Sequence, residues 1–278
     1  MPPRKLTVWR INQALSEWEQ AFPYPLIDLA ACQVIDAFAL AFLTLYMRRC
    51  IEAGGQPRIL LPQREDVLNQ LVNMGLFRLL GQKVWTDRPP PEEKLEEASC
   101  RALLRVEEER EIGSLVERVS EILESRFPLG KRSINVLTMA MVELLQNILH
   151  HANPLGQDIH PYGLAAVEEY SDHIHLVVMD KGVGLRGSLA LNPRYRELDE
   201  SQALEAVLVE GASRFEDPGR GGALRRIREV IQANEGRLFV RSGGVAFWQA
   251  EVEWSVGEVH PFPGVQVSVQ LPRALFFG

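Results

Sequence analysis

The stretch ELLQNILHHAN, residues 143–153, sets a carboxylate, an amide and two imidazoles along what its spacing predicts to be one helix. At about 3.6 residues per turn, Glu143, Asn147 and His151 fall at i, i+4 and i+8, with His150 beside them, so they share a face. Leu145, Ile148, Leu149 and Ala152 form an apolar stripe on the other edge. Such a helix packs one side into a core and presents the other to chemistry. In VVMDKGVGL, Asp180 ends an apolar strand, where a carboxylate can accept a hydrogen bond from an exocyclic amine such as that of adenine. Gly182 and Gly184 after it let the backbone approach a ligand closely. In DPGRGGALRRIREVI, Gly219, Gly221 and Gly222 feed a predicted helix whose first N–H groups and positive dipole end favour phosphate. Arg220, Arg225, Arg226 and Arg228 could contact the same anion, although a charged helix face accounts better for the last three. Taken singly, a turn after a strand explains DKGVG about as well, and a solvated helix edge explains Glu143 and Asn147.

The chain around these groups has 278 residues, 46% hydrophobic and 24% charged, which suits one large or two modest domains with a real core. It holds no apolar run of about 18 residues and no signal-peptide core, so a cytoplasmic protein with no membrane partner is expected. A net charge of -7 argues against a dominant nucleic-acid surface. Cys32, Cys50 and Cys100 are odd in number and far apart, which predicts plain thiols. His150 and His151 with His173 and His175 could suggest a metal cluster, but solvated or core histidines explain HIHL without further ligands.

Three consecutive prolines in TDRPPPEEKLEEAS predict a linker over 86–99, between domains at 1–85 and 100–278. Upstream the pattern is strand (PLIDLAACQVID), helix (AFALAFLTLYMRRCIEAGG), strand (RILLPQ), helix (REDVLNQLVNMGLFRLLG). Downstream it predicts helices from about Arg101 to Arg126 and Ser133 to His151, then the strand HIHLVVMDKG. A long loop from Gly187 to Pro218 follows, with a helix near Gln202 to Glu210, then the helix ALRRIREVIQANEG. Three strands close the chain, GRLFVRS, VAFWQAEVEW and GVQVSVQLP. Helices on one side of a mixed sheet make an α+β fold, a two-layer α/β sandwich.

The order and spacing of the three chemical stretches resemble the GHKL, or Bergerat-fold, ATP-binding family, closest to its anti-sigma-factor serine kinase and histidine-kinase-like branch. ELLQNILHHA resembles the family's N box, DKGVG its first glycine box and GRGGAL its second, and the likeness runs from about Arg101 to Arg273. It implies ATP and Mg²⁺ as cofactors, with Asn147 binding the metal through its amide oxygen and Glu143 acting as general base. Asp180 would recognise the adenine amine, with Gly182 and Gly184 shaping the pocket. Gly219, Arg220, Gly221 and Gly222 would meet the phosphates beneath a lid from Leu185 to Pro218, and His151 would stand on the phosphate side. Two positions depart from the pattern: Val265 follows Gly264 where many members carry Thr, and Ala223 stands near an expected glycine. Slow turnover is the expectation.

The first domain resembles a truncated STAS module, the anti-anti-sigma fold, in a βαβα arrangement, although an ordinary βαβα packing unit would look alike. Asp36-Ala37-Phe38-Ala39-Leu40 stands where that family has Asp-Ser-Ser-Gly-Leu, so the phosphoacceptor serine is replaced. A regulatory or docking role fits better than an in-cis substrate. The two resemblances together imply a bacterial, ATP-dependent regulatory switch acting on a protein partner. The alternatives are a serine/threonine kinase acting on a STAS partner in trans and a non-hydrolysing ATP-sensing scaffold. A homodimer is left open.

Overall fold

The computed structural model describes residues 3–93, 102–126, 131–151, 162–215 and 222–272. The chain divides into two compact units, Met1–Leu104 with Ala166–Glu168, and Arg105–Ala165 with Glu169–Gly278.

The first unit runs β1 (Lys5–Leu6), α1 (Ile11–Trp18), β2 (Leu26–Asp28), β3 (Val34–Ile35), α2 (Ala37–Glu52), β4 (Arg58–Leu60), α3 (Glu65–Asn73), α4 (Leu76–Leu80) and β5 (Trp85–Thr86). Strands β2, β4 and β5 pair in parallel in that order, and β1 pairs in parallel with β3. Helix α2 is apolar all round and every residue from Ala37 to Met47 is buried, as such a sequence requires. Its N-cap, Asp36, accepts hydrogen bonds from Ala39 N at 2.8 Å and Val8 N at 2.9 Å, so one carboxylate both starts the helix and anchors the turn after β1. The sequence pattern assigned nothing to Lys5–Trp18, whose β1 and α1 are too short to show a period. The run read as one strand from Pro25 yields two, and the last helix divides into α3 and α4 at Met74–Gly75.

Beyond residue 101 the elements are β6 (Ala102–Val106), α5 (Glu109–Arg126), α6 (Lys131–His151), β7 (Gly163–Glu169), β8 (His173–Asp180), α7 (Gly184–Leu189), α8 (Glu200–Glu205), α9 (Ala223–Ala233), β9 (Arg237–Ala250) and β10 (Glu253–Pro272). They form a mixed α/β architecture on a five-stranded sheet of order β6-β7-β8-β10-β9, antiparallel at β8-β10 and β10-β9. Helix α5 packs on α6, and α6 packs on both α9 and β8. In register, Ile174, Leu176 and Val178 of β8 stand opposite Leu271, Val269 and Val267 of β10, a buried apolar face. Three expectations change: ALLRV opens as strand β6 instead of helix, β7 is new, and the three closing strands are two long ones. The helix expected near Gln202 to Glu210 is met by α8 and the π-helical turn that follows it. Among the described residues, no helix is long and apolar enough to cross a membrane.

Candidate functional site

Helix α6 turns Ile134, Leu137, Met141, Leu145 and Ile148 into the core at helical spacing. The two polar residues one turn apart, Glu143 and Asn147, are left half-buried. Both line a cavity of about 260 Å³. Apolar side chains (Leu144, Val178, Leu189, Val207, Val265 and Val267) share its walls with polar ones (Gln146, Ser188, Ser213 and Arg214), and Asp180, Gly184, Gly222 and Ala223 also open onto it. Residues far apart in sequence therefore converge on one space.

At one end Asp180 leaves β8 and folds back on its own turn. Its Oδ1 accepts the Gly182 amide at 2.6 Å, and the Val265 amide also bonds the carboxylate. Burial overrides these donors and lifts the carboxyl to about 6. Gly182 thus holds Asp180 and does not line the cavity, whereas Gly184 does. A Cβ at Gly184 would lie 2.9 Å from Ser242 Oγ, and that hydroxyl in turn accepts the Leu185 amide at 2.8 Å. Gly264 is more constrained: its φ is +85, and a Cβ there would fall 2.1 Å from Asp180 O and 2.6 Å from Asp180 Oδ1. Only glycine lets β10 pass this close to the carboxylate. Gln266 completes the support by donating from Nε2 to Asp180 O at 3.0 Å and Pro263 O at 2.8 Å.

At the other end, Gly222 (φ +79) caps α9. The helix begins against Glu143: the Arg226 guanidinium donates to Glu143 Oε1, and the Ala223 amide bonds the same carboxylate. Burial raises the Glu143 carboxyl above its ordinary range, against the opposing pull of these two groups. A solvated face was expected for Arg225, Arg226 and Arg228, and it holds only for the first. Arg225 pairs with Glu229 at 2.9 Å and is half-exposed. Arg226 turns to Glu143, and Arg228 bonds Gln249 Oε1 at 2.9 Å beneath the β9–β10 hairpin.

Gly219, Arg220 and Gly221 lie outside the described residues, as does the His151 side chain, although His151 closes α6. His175 points away from the cavity. It is fully buried with Nε2 2.7 Å from Ser268 Oγ, and burial lowers its pKa to about 3, so it stays neutral.

Ser242 and Gln266, which support the site, gave no signal in sequence, whereas Ala212–Phe215, another wall of the cavity, falls within the span given to a lid. That wall follows a π-helical turn at Ala206–Glu210 and is pinned by Asn192, whose Nδ2 donates to Ser213 O at 3.2 Å. The turn holds a clue, since an extra residue in a helical turn is frequent at functional sites. No protein-family model matches the chain, and no curated protein matches it significantly.

Proposed function

We propose that the second unit binds Mg-ATP in this cavity and works as a GHKL-type, Bergerat-fold regulatory ATPase, a slow switch controlling a protein partner. One observation carries the proposal: Glu143 and Asn147 from α6, Asp180 and Gly184 from the β8–α7 turn, and Gly222 and Ala223 from the start of α9 all line the same space. A carboxylate and a helix N-terminus both open onto this space beside apolar side chains, the groups that a flat base with an amine and a polyphosphate tail requires.

In this proposal Asp180 accepts the adenine amine, and Leu144, Val178, Leu189 and Val265 enclose the ring. The hydroxyl that Val265 does not supply is present directly across the strands, on Ser242. Among the described residues no three His, Cys, Asp or Glu side chains gather to hold a metal. Magnesium suits such a site, because it favours one or two protein oxygens with phosphate oxygens and water, and Asn147 offers its amide oxygen. Bound there, the metal neutralises phosphate charge. Glu143, one helical turn away, would take the proton of the attacking water. The first unit would serve as a STAS-like regulatory or docking module. The sequence places no Ser or Thr between Ile35 and Phe42, and the Thr44 hydroxyl further along α2 is buried and donates to Leu40 O at 2.8 Å, so it offers no phosphoacceptor.

The test is calorimetric binding of Mg-ATP to the whole protein, with ADP formation followed on the same samples. Binding lost in Asp180→Ala, and ADP formation lost in Glu143→Ala with binding retained, are the expected results. A wild-type protein that binds no nucleotide would refute the proposal, and phosphate transferred to an added STAS protein would replace the switch with a kinase.

A further inference from the structure

We propose that Arg226 and the start of α9 sense the terminal phosphate of a nucleoside triphosphate by exchanging it for the carboxylate of Glu143. The inference rests on the assignment of the cavity to ATP and adds its regulation.

Three features carry it. Arg226 alone of the three α9 arginines faces α6, its guanidinium donating to Glu143. That guanidinium also lies across the N-cap, because a Cβ on Gly222 would sit 3.2 Å from its NH1 nitrogen. The fixed cation thus adds to the positive end of the helix dipole in one place. Finally, the Glu143 carboxylate takes both the arginine and the Ala223 amide, the donors an incoming anion at this end would use. Glu143 is therefore an internal anion seated where a phosphate would bind.

The two anions cannot share these donors. A terminal phosphate brings more charge and more acceptor oxygens than one carboxylate, so it displaces Glu143. A diphosphate lacks that group and leaves the pair closed. Displacement has a second effect: Glu143, one turn from Asn147, is released to act as a base only when the group it acts on has arrived. No bond is made or broken in the exchange.

The test compares affinities for Mg-ATP and Mg-ADP in the wild type, Glu143→Gln, Arg226→Gln and the double variant. Both side chains are about one-third exposed (34% and 31%), so the effect belongs at the lower end for a charged hydrogen bond. Glu143→Gln removes the competing charge while keeping its shape and should tighten ATP by ~10-fold, with ADP unchanged. Arg226→Gln should weaken ATP by a similar ~10-fold factor, again sparing ADP, and the gain from Glu143→Gln should vanish in the double variant. An ATP-to-ADP ratio that no variant alters overturns the exchange alone. A wild-type protein that binds neither nucleotide overturns the cavity assignment and takes the exchange with it.

Discussion

Asp180 carries a charge that the fold itself opposes, and the size of that opposition can be measured. Burial lifts its carboxyl from 3.8 to about 6 despite the Gly182 and Val265 amides. At 1.36 kcal/mol per decade of proton affinity, the displacement corresponds to roughly 3 kcal/mol, or about 2 allowing for solvent at the cavity mouth. The sign follows from proton counting. Between about pH 4 and pH 6 the native state holds a proton that the unfolded chain has released, so stability falls as pH rises through this window. Asp180→Asn removes the titration. The amide makes different hydrogen bonds, but that offset is independent of pH and drops out of the slope. Urea unfolding followed by tryptophan fluorescence, from about pH 4 to pH 7.5, should show the variant gaining roughly 2 to 3 kcal/mol on the wild type across the window. A difference between the two proteins that stays flat would refute the account of Asp180 as a buried charge, and with it the idea that a ligand amine offsets its burial.

Gly264→Ala forces a Cβ into the Asp180 backbone at a positive φ, and should lower stability by about 2 to 4 kcal/mol in thermal unfolding; an unchanged Tm would contradict the packing described. His175 works in the opposite sense to Asp180. Its folded pKa of about 3 lies below the ordinary 6.5, so the contribution of this neutral side chain is present above about 6.5 and drains away by up to ~1.4 kcal/mol per pH unit as the solution is acidified towards 3. Comparing His175→Gln with the wild type should reveal that slope, and parallel curves would rule it out. Asn147→Ala should weaken ATP binding in magnesium but not in its absence, by calorimetry; equal weakening in both would remove Asn147 from the metal.

What was legible in the sequence was whatever depends on local spacing. The faces of α6 follow from its period, and the strand end at Asp180 from its apolar run. What could not be seen depends on partners distant in the chain. Gly163–Glu169, GLAAVEE, contains alanines and glutamates that favour helix, and becomes strand β7 because pairing in the sheet overrides propensity. ALLRV runs straight into the helical spacing of α5 and shows no boundary of its own. Arg226 has the same sequence surroundings as Arg225; only the placement of α6 beside α9 distinguishes them. Ser242 and Gln266 belong to strands whose alternation reads as ordinary, and their role appears only once Val265 is seen opposite Ser242.

The two ends of the cavity are built to different stiffness, and this difference bears on how a switch could work. The Asp180 end is tied by bonds from Gly182 and Gln266 to Asp180 and from the Leu185 amide to Ser242 Oγ, and Gly264 leaves β10 no room to shift. Each of these groups is fixed to a strand or a tight turn, so this end would lose little freedom on binding the proposed nucleotide. The Glu143 end depends on one long arginine side chain, about one-third exposed, and one helix N-terminus, and a partly solvated ion pair of this kind contributes only on the order of 1 kcal/mol. An anion can replace such a pair without disturbing the fold. A nucleotide held by the base at the rigid end would present its phosphates to the adaptable one, so di- and triphosphate would share one anchor and differ where Arg226 and the Ala223 amide hold Glu143. Only the second contact would then need to change between the two nucleotides, which is all that the proposed switch requires.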